Sequence, residues 1–111
     1  IYCAAQQSAA MDEQRTVAAF VDDHDLDAPP AYRLLDVVSE LGEVAKDAAE
    51  STGYGAHPER VAVSDDELGD ARFALLALAD SLDVDAGEAL NESLAKYEGR
   101  IEASGAPNSG E

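Results

Sequence analysis

Two short acidic pairs of the same form stand 27 positions apart, Glu40-Leu41-Gly42-Glu43 and Glu67-Leu68-Gly69-Asp70. Residues three apart on a helix lie about 60° from one another around the axis, so each pair would project from one face. Carboxylate oxygens suit Mg²⁺, Mn²⁺ or Ca²⁺ rather than Zn²⁺. Mg²⁺ usually keeps several waters and completes its shell with phosphate oxygens. The chemistry these residues point to is therefore cation-assisted work on a phosphate. A di-iron bundle would need Glu-x-x-His, and neither His24 nor His57 stands at that spacing from a helical Glu.

Each pair also has a plainer reading. Asp36 and Asp47 share the sector of Glu40 and Glu43, beside an apolar arc of Leu34, Val37, Val38, Leu41, Val44, Ala45 and Ala48. Such a stripe also describes a solvated helix face. Glu67 and Asp70 differ, because their stripe continues as Ala71, Ala74, Ala77 and Leu78. Buried carboxylates must be neutralised by protons, bases or a metal. With only seven bases in the chain, a shared cation is the economical answer. Ser64 followed by Glu67 fits a capping box, which accounts for Glu67 but not for Asp70 one turn further in. Gly42 and Gly69 each cost about 1 kcal/mol in mid-helix. Their placement predicts a close approach to the backbone, by the facing helix more often than by a ligand.

These residues must be positioned by helices. Val17, Phe20, Val21 and His24 follow helical spacing, which predicts a first helix over residues 12–23. Proline is tolerated in a first helical turn, so a second helix begins near Pro30 and runs to about Ser51. Residues 52–63, with two Gly and a Pro, form a loop. Ser64 caps a third helix reaching about Leu82. Asp85 with Glu88 caps a fourth that ends near Ala103. Residues 104–111 read as a loose tail. Met11 reads as a natural start, with residues 1–10 an uncharged extension that makes Cys3 irrelevant to function. The domain proper is then 11–103. The expected fold is all-α, a four-helix bundle. The third helix is apolar nearly all round after Asp70, and four short helices supply too few partners for it. Oligomerisation is expected to complete the bundle.

Composition narrows the function classes. At 111 residues and 46% hydrophobic, the chain fits one folded domain. Its net charge of −17 is spread along the sequence rather than held in a block, and only Lys46 and Lys96 are lysines. That pattern reads as adaptation to high salt, where self-repulsion is screened. No basic patch exists to neutralise nucleic-acid phosphates. A single Cys, Cys3, excludes an internal disulfide and a Cys-based metal site. No apolar run is long enough to span a membrane, and a reduced cytoplasm is the default expectation.

The motifs LLDVVSELGEVAKDAAE, DDELGDARFALLALADSLDVDAGEAL and KYEGRI, within roughly residues 32–101, together resemble the MazG-like, all-α nucleotide pyrophosphohydrolases. The resemblance implies hydrolysis of a nucleoside triphosphate to the monophosphate and pyrophosphate. It implies Mg²⁺, or Mn²⁺ in its place, held by Glu40, Glu43, Glu67 and Asp70. It also implies helices of two subunits around each site, in a homodimer or homotetramer. Lys96 and Arg100, one turn apart with Tyr97 beside them, are the best candidates for triphosphate contacts, although basic residues near a helix end also suit its dipole. Lys46 reads as an i, i+4 partner of Glu50. Arg72, in the helix expected to be buried, needs an acid or a phosphate. Tyr54 and Gly55 lie in the loop, where a Tyr can meet a base but more often only packs. The absence of Trp argues against narrow base selection. A relative acting on a phosphoribosyl-nucleotide is disfavoured for lack of a basic cluster. From another class, the chain reads as a non-catalytic helical dimer binding a divalent ion or a regulatory protein. The complete four-acid set argues against that alternative.

Overall fold

The computed structural model describes the backbone of residues 2–108 and the side chains of residues 12–108. The expectations for Cys3 and for the chain's last three residues fall outside the described side chains or residues. Four α-helices account for most of the chain, α1 (Tyr2–Asp23), α2 (Pro30–Ser51), α3 (Asp65–Ser81) and α4 (Ala86–Ser104). There is no strand among the described residues. A single 3₁₀ turn, Pro58–Arg60, interrupts the α2–α3 loop.

Local signals set the ends of these helices. α1 stops where Asp25 turns to a positive φ of 53°, and the Leu26 N–H closes onto the Val21 carbonyl at 2.8 Å. Pro30 occupies the first turn of α2, where its missing N–H is no loss. At the other end the Thr52 hydroxyl donates to the Ala48 carbonyl at 2.7 Å, and Gly53, Tyr54 and Gly55 all take positive φ. The Ser64 hydroxyl accepts from the Glu67 N–H at 3.2 Å, and Asp85 accepts from the Glu88 N–H at 3.1 Å, so both expected caps are made. α4 closes on Gly105 at φ 79°, the left-handed conformation that glycine adopts without a Cβ penalty. α1 starts at Tyr2, well before the expected residue 12. The Ala- and Gln-rich segment has high helix propensity but carries no apolar periodicity to announce it.

α2 and α3 form the central pair. Asp47 meets Ser64 while Glu40 meets Asp70, so their numbering runs in opposite directions and the helices are antiparallel. α1 packs on α3 and touches α4. The Phe20 and Phe73 rings meet edge-on with centroids 5.8 Å apart, and Arg72 pairs with Glu13. Gln14 of α1 pins the α3–α4 turn with two bonds. Its Nε2 donates to the Val84 carbonyl at 2.7 Å, and its Oε1 accepts from the Ala86 N–H at 2.8 Å.

Within one chain this packing buries little. The buried apolar side chains are Val21, Val37, Ala74, Ala77 and Ala79. Leu34, Val38 and Leu41 leave a stripe of α2 exposed, and Leu90, Leu94, Tyr97 and Ile101 do the same on α4. A compact monomer of 11.6 kDa would present roughly 5,800 Å² to solvent. This chain presents 7963 Å². Its radius of gyration is 17.0 Å, against about 13 Å for a compact domain of this length.

Candidate metal and phosphate site

The acidic pairs come together where α2 and α3 cross. Glu40 and Glu67 are half-buried and Asp70 is exposed, and one carboxylate oxygen from each lies within 4.8 Å of the others. Glu43 is exposed on α2 one turn beyond Glu40. The Glu67 carboxyl is pushed above its ordinary value, first by burial and then by the negative charges of Asp47, Glu43, Asp70 and Asp66. All four expected acids thus take part in one electrostatic neighbourhood. Asp47 belongs to it as well, its Oδ2 accepting from the Ser64 N–H at 3.4 Å. Its sector on α2 was legible from spacing, but nothing in the sequence marked it off from surface acids.

Two expectations need correction. The first made Asp70 the residue most in need of a cation, because it heads a buried stripe. Its carboxylate is exposed, and full burial on α3 begins only at Ala74. The cluster therefore joins two half-buried carboxylates, Glu40 and Glu67, to an exposed one. The second took a facing helix as the commoner reason for Gly42 and Gly69. A Cβ built on either residue meets nothing within 4 Å, so packing inside the chain requires neither glycine.

A cavity of about 420 Å³ opens beside the cluster, lined by Arg33, Asp36, Glu40, Asp70, Phe73 and Ala74. Arg33 had no role in the sequence reading, yet it is the buried charged residue here, 8% exposed. Its spacing was the available signal. Seven residues before Glu40 is about two helical turns, which returns to nearly the same face.

The expected substrate contacts are placed elsewhere. Arg72 is exposed and engaged by Glu13. The Lys96 Nζ lies 5.0 Å from the Tyr97 ring centroid and the Arg100 guanidinium carbon 6.0 Å from it, a cation–π cluster on α4. Arg100 also donates to the Pro107 carbonyl at 3.4 Å. None of these four lines the cavity that holds Glu40 and Asp70. Tyr54 is 82% exposed and does not pack.

No helix among the described residues is long and apolar enough to cross a membrane. Compared with known proteins, the chain matches no family model, no curated protein and no solved structure.

Proposed function

We propose that the protein is an Mg²⁺-dependent nucleoside triphosphate pyrophosphohydrolase, releasing nucleoside monophosphate and pyrophosphate. The observation that carries this reading is the convergence of Glu40, Glu67 and Asp70 from two helices to within 4.8 Å, with an open cavity beside them. The donor set fits the ion. All the contributed atoms are carboxylate oxygens, the ligands that Mg²⁺ and Mn²⁺ prefer. Glu40, Glu67 and Asp70 would hold the cation, with Glu43 on the same helix face and Asp47 fixing the first turn of α3 through Ser64. Bound there, the cation supplies charge neutralisation for phosphate oxygens and acidifies a coordinated water. The resemblance to MazG-like enzymes in the SELGE and DELGD segments supports the same reading.

A second copy of the chain completes the proposed enzyme. The open stripes of α2 and α4 supply an apolar face for it. The high negative charge fits a salt-rich cytoplasm, where such a surface is screened.

The test is product analysis in high salt with Mg²⁺ and each nucleoside triphosphate in turn. Monophosphate and pyrophosphate in equal amounts are expected. Orthophosphate as the primary product, or no turnover of any nucleotide, contradicts the proposal.

A further inference from the structure

We infer that Arg33 is the phosphate-binding cation of this cleft, its guanidinium taking an oxygen pair of the substrate's phosphate chain; the inference rests on the reading of the cleft as a nucleotide site. A buried guanidinium is costly unless its donors and charge are met. Arg33 Nη2 donates to the Leu26 carbonyl. Nη1 stands 3.8 Å from Asp36 Oδ2, too far for a hydrogen bond, and that carboxylate is itself 61% exposed. Arginine carries five N–H donors in a planar fork, so most of this fork remains for an occupant of the cavity that it lines. Any counter-charge that Arg33 offers the acidic cluster acts without direct contact. Asp36 is the carboxylate within ion-pair distance, whereas Glu40 and Asp70, on the same cavity wall, form no ion pair with Arg33.

The spacing suits an elongated anion. Arg33 and Glu40 are about two turns apart, roughly 10 Å along α2, and their side chains border one cavity. A polyphosphate reaching from the acid cluster would meet a cation at its far end. Arginine is the residue whose fork matches two phosphate oxygens at once. The other basic candidates are engaged away from this cavity, Arg72 by Glu13 and the Lys96–Arg100 pair by Tyr97.

Inorganic pyrophosphate with Mg²⁺ is the probe. In ¹⁵N-labelled wild-type protein, the Arg33 Nε–H resonance, assigned by its loss in Arg33→Lys, is expected to shift as pyrophosphate binds. Arg33→Gln should weaken pyrophosphate binding about tenfold to hundredfold, the range for a hydrogen bond to a charged group. Arg33→Lys should lose less, and Mg²⁺ affinity without pyrophosphate should hold in both. An unmoved resonance at saturation, no pyrophosphate binding by the wild type, or unchanged affinity in a folded Arg33→Gln protein overturns the inference. If Arg33→Gln fails to fold through loss of the Leu26 bond, the wild-type titration alone decides. Pyrophosphate binding through Arg33 without hydrolysis of any nucleotide keeps this inference and removes the hydrolytic reading. Turnover with a silent Arg33 does the reverse.

Discussion

Replacing Leu75 by Glu should weaken the proposed dimer while leaving the chain folded. Leu75 is 54% exposed on α3 and lines an apolar groove of about 370 Å³ with Leu78, Leu82, Val84 and Leu90. Full burial of a leucine side chain contributes about 1.5–3 kcal/mol. Roughly half of that, about 1 kcal/mol, remains to be gained when a second copy covers the residue. A two-fold dimer counts the contact twice, so the apolar loss alone is about 2 kcal/mol, or about 30-fold in the dissociation constant. Desolvating the new carboxylates makes this a lower bound. In the isolated chain the half of Leu75 already buried is lost too, about 1 kcal/mol of stability, which a folded domain tolerates. Sedimentation equilibrium over a range of protein concentrations measures the effect. It should be run at two ionic strengths, because the screening length falls from about 10 Å at 0.1 M to about 3 Å at 1 M and the chain carries a net charge of −17. Tighter wild-type association at high salt is expected. A wild-type monomer at 1 M salt, or equal association of both proteins, refutes the reasoning.

Asp70→Asn should abolish Mg²⁺-dependent turnover with helical content unchanged by circular dichroism, because the residue is exposed and the substitution keeps its shape. Persistent activity would remove Asp70 from the metal set. Metal-free protein should lose stability as pH rises through the carboxylate range above about 4.5. Glu67 holds its proton more tightly when folded than when unfolded, so the folded state binds more protons and the slope is negative. Added Mg²⁺ should flatten or reverse that slope in thermal melts at a series of pH values, and a slope indifferent to Mg²⁺ would count against the site.

The parts of this fold that were legible in the sequence are those set by neighbours along the chain. Pro30, Ser64 and Asp85 act on the first turn of their own helices, and each marks a boundary the structure confirms. The angular sector of Glu40, Glu43, Glu67 and Asp70 follows from helical geometry alone. What escaped depends on how helices cross. Whether Asp70 is buried is decided by how α3 sits against α2, and whether Arg33 is buried by how the α1–α2 linker folds back to offer Leu26. The roles expected of Lys96, Tyr97, Arg100 and Arg72 rested on residue type, whereas their position is set by α4 lying on α1 and by the pairing of Arg72 with Glu13. The open space beside Gly42 and Gly69 is likewise a property of the assembled helix pair.

Hydrolysis in ¹⁸O-labelled water tests the central claim most directly. Attack of water at the α-phosphorus, guided by the Glu40–Glu67–Asp70 cluster, places the label in the nucleoside monophosphate and leaves pyrophosphate unlabelled. Label in pyrophosphate or orthophosphate, or release that proceeds equally without a divalent cation, would contradict the account.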